Sequence, residues 1–390
     1  MHRSISLGAY VLAVAALFVI GVSADETAVK LTSSVKAPGQ LGESLRNEAN
    51  VAVRKGLDWL VSSQRPDGSW SDTNFPALTA LAVWPFIQSD HPAKAEVIRK
   101  ATSFLRSFVQ KDGGIYRDIP GRKGGGLSNY NTAICMTVLH ATGNPELTTI
   151  VQNARAFLAG TQHFGDDEYN GGFGYDKDTK RAYTDLLNTY YTVQAMRLTQ
   201  DVEDKRPAGE KKADINWAET VKFIERMQNK PESGDEDSGG FTYNPTDPKG
   251  GPFTNQAGKI VFRSYGSITY AGMLALVYAN VSRDDVRVVS ALDWASKHWT
   301  VEENPGMGQE GLFFFYSVLT RALSAAQVDM IQKPGKDFVD WRAEVVKKVV
   351  SLQKIENGLG YWMNDVNRYW ESDRILVTAY SLMALQMAMK

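Results

Sequence analysis

One unit recurs about six times along this chain and constrains its fold more than any other feature. A helix ends in Gln, a turn rich in Gly, Asn, Asp or Pro follows, an aromatic closes the turn, and a more apolar helix begins. The turns are QRPDGSW (Gln64 to Trp70), QKDGGIY (Gln110 to Tyr116), QHFGDDEYNGGFGYD (Gln162 to Asp176), QNKPESGDEDSGGFTY (Gln228 to Tyr243) and QKIENGLGYW (Gln353 to Trp362), with HWTVEENPGMGQEGLFFF (His298 to Phe315) as the most elaborate copy. Trp59 to Gln64, Phe157 to Gln162 and Phe223 to Gln228 keep one interval, and Trp294 to Trp299 repeats it with Trp in the Gln place. The Gln amide is suited to bond free carbonyls at the helix end or the next turn's backbone. Gly permits the sharp reversal, and the aromatic packs over the junction.

Each unit therefore predicts a helix pair. The outer helices are amphipathic, as in VAVRKGLDWLVSSQ from Val51, where Val53, Leu57, Leu60 and Val61 share a face. The partners ALTALAVWPFI, NTAICMTVLHA, LLNTYYTVQAMRL, SITYAGMLALVYA, FFFYSVLTRALSAA and ILVTAYSLMALQMA are apolar nearly all round, which marks an inner layer. Such pairs are too apolar to stand alone and must bury faces against their neighbours. Six of them predict an all-α fold, an α/α toroid of inner helices ringed by outer ones over residues 51–390. An open solenoid is the alternative. Three insertions, 121–126, Asp201 to Lys212 and Asn244 to Lys259, read as surface loops.

Ahead of the repeats, a short basic start (His2, Arg3), an apolar run from Ala9 to Ile20 and the small residues Val22-Ser23-Ala24 read as a signal peptide over 1–24. It predicts a periplasmic or secreted protein; a retained anchor is the alternative. Residues 25–50 are polar and aperiodic and read as a flexible arm. After cleavage no stretch is long and apolar enough to span a membrane. The net charge of -1 gives no footprint for nucleic acid, and the lone Cys135 leaves no intramolecular disulfide.

The turn units resemble the QW-type repeats of the terpene cyclase and protein prenyltransferase superfamily, over about Val51 to Lys390. SYGSITYAGMLAL (Ser264 to Leu276) with ENPGMGQEGLFFF (Glu303 to Phe315) looks most like secreted bacterial prenyltransferase/squalene oxidase repeat proteins. The resemblance implies a toroid with a central apolar cavity. Cyclases of this superfamily protonate an alkene or epoxide with the middle acid of an Asp-x-Asp-Asp motif ahead of a Thr. The counterpart here is Asp185-Leu186-Leu187-Asn188 before Thr189, with Leu187 in the acid's place. The prenyltransferases hold zinc through Asp, Cys and His. Cys135 and His140 have no evident third ligand, so Cys135 reads as a buried structural residue, and neither metal nor cofactor is implied.

The remaining polar residues sit at the mouths and along the walls of inner helices. Asp185, Glu310 and Asp373 are candidate general acids or bases; Asn188, Tyr191, Tyr265, Tyr270, Tyr316 and Tyr380 are candidates for lining a cavity. Carboxylates in a helix's first turn also serve its dipole, and buried Tyr hydroxyls also serve packing. The acidic runs 166–168 and 235–237 lack calcium-loop spacing and read as solvated charge. Phosphate-cradling, nucleophile-elbow and His-Glu-x-x-His motifs are missing. Three functional classes stay open: a non-catalytic toroid binding an isoprenoid, another lipid or a protein partner; an isoprenoid cyclase or transferase using non-standard acids; and a polysaccharide hydrolase or lyase.

Overall fold

A computed structural model describes residues 41–119, 126–177, 183–247, 249–335 and 337–390. The signal peptide expected over 1–24, most of the arm and most of the 121–126 insertion lie outside the described residues. Inner helices are α2 (Pro76–Ile87), α4 (Ser128–Ala141), α6 (Leu186–Leu198), α8 (Gly266–Tyr278), α10 (Leu312–Ala325) and α12 (Arg374–Ala388). Outer helices are α1 (Glu43–Ser63), α3 (Lys94–Arg106), α5 (Thr148–Ala159), α7 (Trp217–Arg226), α9 (Val286–Lys297) and α11 (Trp341–Ser351). Each inner helix packs on the next, and α12 packs back on α2. The fold is an all-α toroid, as the repeats predict. Three short antiparallel hairpins decorate it: β1–β2 (Pro252–Thr254, Ile260–Phe262), β3–β4 (Ile331–Gln332, Phe338–Val339) and β5–β6 (Lys354–Glu356, Leu359–Tyr361).

The turn grammar acquires its physical meaning at the joints between pairs. Gln64 Nε2 bonds Gly68 O in its own turn and Val97 O on α3; Gln162 Nε2 likewise bonds Gly171 O and Asn216 O at the start of α7. Gln228 reaches Gly239 O and Arg287 O on α9. These three thus rivet their turns to the following outer helix, whereas Gln110 bonds Phe108 O and Tyr116 O within its own turn. Trp299, in the Gln place, donates Nε1 to Glu344 on α11 at 2.7 Å. Gln353 reaches Ala52 O on α1 at 2.8 Å, so the last rivet closes the ring. Arg46 to Met389 O and Gln386 to Pro85 O tie the same seam.

Glycine is required where the turn touches that next helix. A Cβ at Gly239, whose φ is +87°, would stand 2.2 Å from Ser290 O on α9. Gly239→Ala is expected to destabilise by about 1–3 kcal/mol from the backbone conformation alone, with the clash added. Urea unfolding reads the loss; an unchanged midpoint overturns this account of the joint.

A second repeating bond joins turn to inner helix. Backbone N–H groups of Trp70, Ile115, Phe173, Phe241 and Trp362 donate to the hydroxyls of Thr79, Thr132, Thr189, Thr269 and Thr378. Each Thr sits in the first turns of its inner helix, and the bond fixes where the closing aromatic enters the core.

Two sequence expectations are corrected. Residues 43–50 are not arm but the first turns of α1, with Ala49 fully buried: the polar residues occupy an outer face while small side chains meet the ring. The insertion from Asp201 to Lys212 is not only surface loop. Glu203 is 4% exposed and pairs with Arg155 (1% exposed, 3.0 Å) and Arg206 (2.6 Å), which fastens the segment to α5.

Candidate functional site

The inner helices enclose a cavity of about 430 Å³, within the roughly 300–1,000 Å³ of small-molecule sites. Among the described residues nineteen line it, eleven of them aromatic, with Lys249 the one charged member. Rings cross it as a band. Tyr130 on α4 meets Tyr191 on α6 edge-on at 5.3 Å, Tyr191 approaches Phe314 on α10 at 6.4 Å, and Phe314 approaches Tyr380 on α12 at 5.7 Å. Turn residues Tyr175, Tyr183 and Tyr243 contribute further wall. Phe75, Tyr369 and Trp370 also line it, Trp370 standing edge-on to Phe75 at 5.0 Å. Tyr369 and Trp370 are 46% and 42% exposed, and both hold left-handed backbone (φ 57° and 66°). Bulky residues rarely adopt that conformation.

Leu187 also lines this cavity. The side chain standing where the resemblance puts a proton donor is therefore an apolar part of the wall. Asp185, two residues earlier, is fully buried as the N-cap of α6. Its carboxylate accepts from Asn188 N (2.8 Å) and Asn188 Nδ2 (2.7 Å). Burial pushes the Asp185 carboxyl up to about 7, against the Asn188 and Tyr243 hydrogen bonds that lower it.

Of the other candidate acids, Asp373 caps α12 by accepting from Ile375 N (2.8 Å) and Leu376 N (3.2 Å), and its second oxygen takes the Ser71 hydroxyl across the seam. Glu310 forms an ion pair with Arg368 at 3.5 Å. None of the three lines the cavity. Among the expected lining residues, Tyr191, Tyr265 and Tyr380 do line it. Asn188 instead holds Asp185, Tyr270 packs on Phe315, and Tyr316 donates to Val301 O at 2.6 Å.

Glu371 escaped the sequence reading. It is fully buried and accepts from Phe313 N, Phe314 N and Asn364 Nδ2, so it caps α10 from the neighbouring repeat. Burial pushes its carboxyl to about 7 as well, with Asn364 and these amides opposing. Its sequence signal was weak: one Glu in the acidic, polar stretch before α12.

Asp237 is corrected too. It was expected in water, yet it is 4% exposed and accepts Ser264 N at 2.7 Å ahead of α8. Cys135 is fully buried in α4, where desolvation raises its thiol pKa well above the ordinary value. Among the described residues no three His, Cys, Asp or Glu side chains are grouped to hold a metal.

These features define an α/α toroid around an aromatic chamber. No family model matches the sequence, and no curated protein matches it either. Solved structures do match. The type II terpene cyclase MstE from Scytonema, in complex with merosterolic acid A as product, is 13% identical over 89% of this chain and 99% of its own, with a TM-score of 0.53. An inactive variant of the GH76A alpha-1,6-mannanase of Salegentibacter, in complex with alpha-1,6-mannotriose, is 11% identical over 88% and 99%, with a TM-score of 0.54. At such identities the likeness is one of fold.

Proposed function

We propose that this toroid, built from QW-type repeats and exported by its first 24 residues, binds an apolar isoprenoid or similar lipid in its central cavity without catalysing cyclisation by the Asp-x-Asp-Asp route. The observation that carries this reading is Leu187. It lines an almost wholly aromatic and aliphatic wall, while Asp185, two residues earlier, caps its own helix through Asn188 and does not line the cavity. Edge-on and tilted rings at 5–6 Å offer area and polarisable contact to an unsaturated chain. A type II cyclase of the same fold takes geranylgeranyl dihydroxybenzoate as substrate, which agrees with a ligand of this kind. The polysaccharide alternative has less support, because glycoside hydrolysis needs paired carboxylates beside the sugar and among the described residues no Asp or Glu lines this cavity.

The test is native mass spectrometry of the mature protein, purified gently from its own envelope, beside an organic extract of the same sample. One isoprenoid-sized lipid per chain is the expected result. Leu187→Asp places an ionised group in the apolar wall and is expected to weaken retention by at least about tenfold, since burying an unpaired charge costs well over 1.4 kcal/mol. A chain that carries no lipid from its envelope and retains none when supplied overturns the proposal.

A further inference from the structure

Beneath the aromatic band lies a cation that the described residues leave without a carboxylate. Arg321 is seven residues after Phe314 on α10. Two helical turns return to the same face, about 10 Å along the axis at 1.5 Å per residue. Since Phe314 lines the cavity, Arg321 faces the same axis one storey lower. Its Nε donates to Ser317 O at 3.1 Å, and its guanidinium lies over the Tyr190 ring at 5.7 Å. The groups that act on it electrostatically are the hydroxyls of Tyr190, Tyr191, Tyr278 and Tyr380, from three other inner helices.

Those hydroxyls supply the second observation. Tyr190 is fully buried and Tyr191 is 4% exposed, and neither hydroxyl has a hydrogen-bond partner of regular geometry. Tyr191 and Tyr380 also line the aromatic cavity, so the groups around Arg321 include residues of its wall. The nearby carbonyl end of α10 makes a cation tolerable at this depth. It does not provide an oxyanion for the guanidinium's outer nitrogens. Even a half-buried charge without a counter-ion carries part of the cost of a buried one, and buried hydroxyls without partners add to it.

We propose that Arg321, with the hydroxyls of Tyr190 and Tyr191, is the seat for the carboxylate of an acidic amphiphile whose apolar tail fills the aromatic cavity. This rests on the reading of that cavity as a lipid site. One guanidinium matches one negative charge. Arg321 touches no second cation among the described residues, so a diphosphate's further charges would stay unpaired there and a carboxylate is the head group that fits.

The experiment titrates the intact mature chain at pH 8 with farnesoic acid, farnesol and farnesyl diphosphate, read by calorimetry. The acid is expected to bind at least about tenfold more tightly than the alcohol, the advantage of a charge-assisted hydrogen bond. The diphosphate is expected to bind no better than the alcohol. Arg321→Gln is expected to erase the acid's advantage and leave farnesol binding unchanged, and Arg321→Lys to keep part of it. Acid and alcohol binding alike to the unaltered chain, or an advantage that survives Arg321→Gln, overturns the carboxylate seat while the lipid cavity stands. Failure of all three ligands to bind overturns both. The comparison on the unaltered chain decides the matter even if a variant does not fold.

Discussion

Asp185→Asn is expected to stabilise the chain at pH 8 and to leave it nearly unchanged at pH 4. The Asp185 carboxyl titrates near 7 in the folded chain against 3.8 for the free side chain, with burial as the main cause. Between about pH 4 and pH 7 the folded state therefore holds a proton that the unfolded state has released. Stability falls as pH rises through that window, because the folded form binds more protons there. Above pH 7 the cost is complete, on the order of 4 kcal/mol at about 1.4 kcal/mol per pH unit. Asparagine keeps the cap, because its oxygen still accepts from Asn188 N, a bond Asn makes as well as Asp. Asn188 Oδ1 has no partner at present. A flip of that amide lets it accept from the new side chain. Urea unfolding of both proteins across this range is the measurement, and parallel profiles would falsify the argument. Glu371, also near 7, leaves a residual slope of the same sign in the variant.

A second large effect is expected at the buried ion pair under the 201–212 segment. Glu203→Ala leaves Arg155, 1% exposed, with its Met196 O, Thr199 Oγ1 and Ala213 O bonds but no carboxylate. Removing one partner of a buried pair typically costs about 3–5 kcal/mol, chiefly through the charge left behind. Arg155→Met combined with Glu203→Leu is expected to recover part of that loss, since the desolvation of both charges disappears with them while Arg206, among the described residues, keeps only the Glu210 carboxylate at 3.8 Å. Denaturant midpoints of Arg155→Met, Glu203→Leu and the double variant form a cycle that reads the coupling directly. A double variant no better than the worse single would show that the pair is held for something other than compensation of charge.

Much of the fold was legible because its joints are built from residues with few alternative uses. Gln at a helix end followed by Gly and an aromatic announced each corner, and LLNTYYTVQAMRL coincides with α6 to the residue. The start of α1 was missed because Glu43, Arg46 and Glu48 belong to a partly wetted helix whose buried side is made of small residues. The Thr that receives each turn was missed because a hydroxyl inside an apolar helix ordinarily satisfies itself on the preceding turn. The site was harder still. Inner helices buried all round carry no stripe to say which face meets the axis, so Tyr270 and Tyr316 were as plausible as Tyr191 and Tyr380. Tyr130, Phe314 and Trp370 carried no distinguishing mark at all. Asp185 was found by position; its capping role follows only from the Asn188 contacts.

The rivets between Gln353 and Ala52, Arg46 and Met389, and Gln386 and Pro85 join residues about three hundred positions apart. Linear arrays of helix pairs can fray from either end and assemble one module at a time. A closed ring has no end to fray. Its last joint waits until α12 emerges from synthesis, and the first pair spends that interval with one apolar flank uncovered. Folding of this chain is therefore governed by its longest loop closure, and a nascent chain halted before α12 presents α2 and α1 as sticky surfaces that the finished molecule never shows.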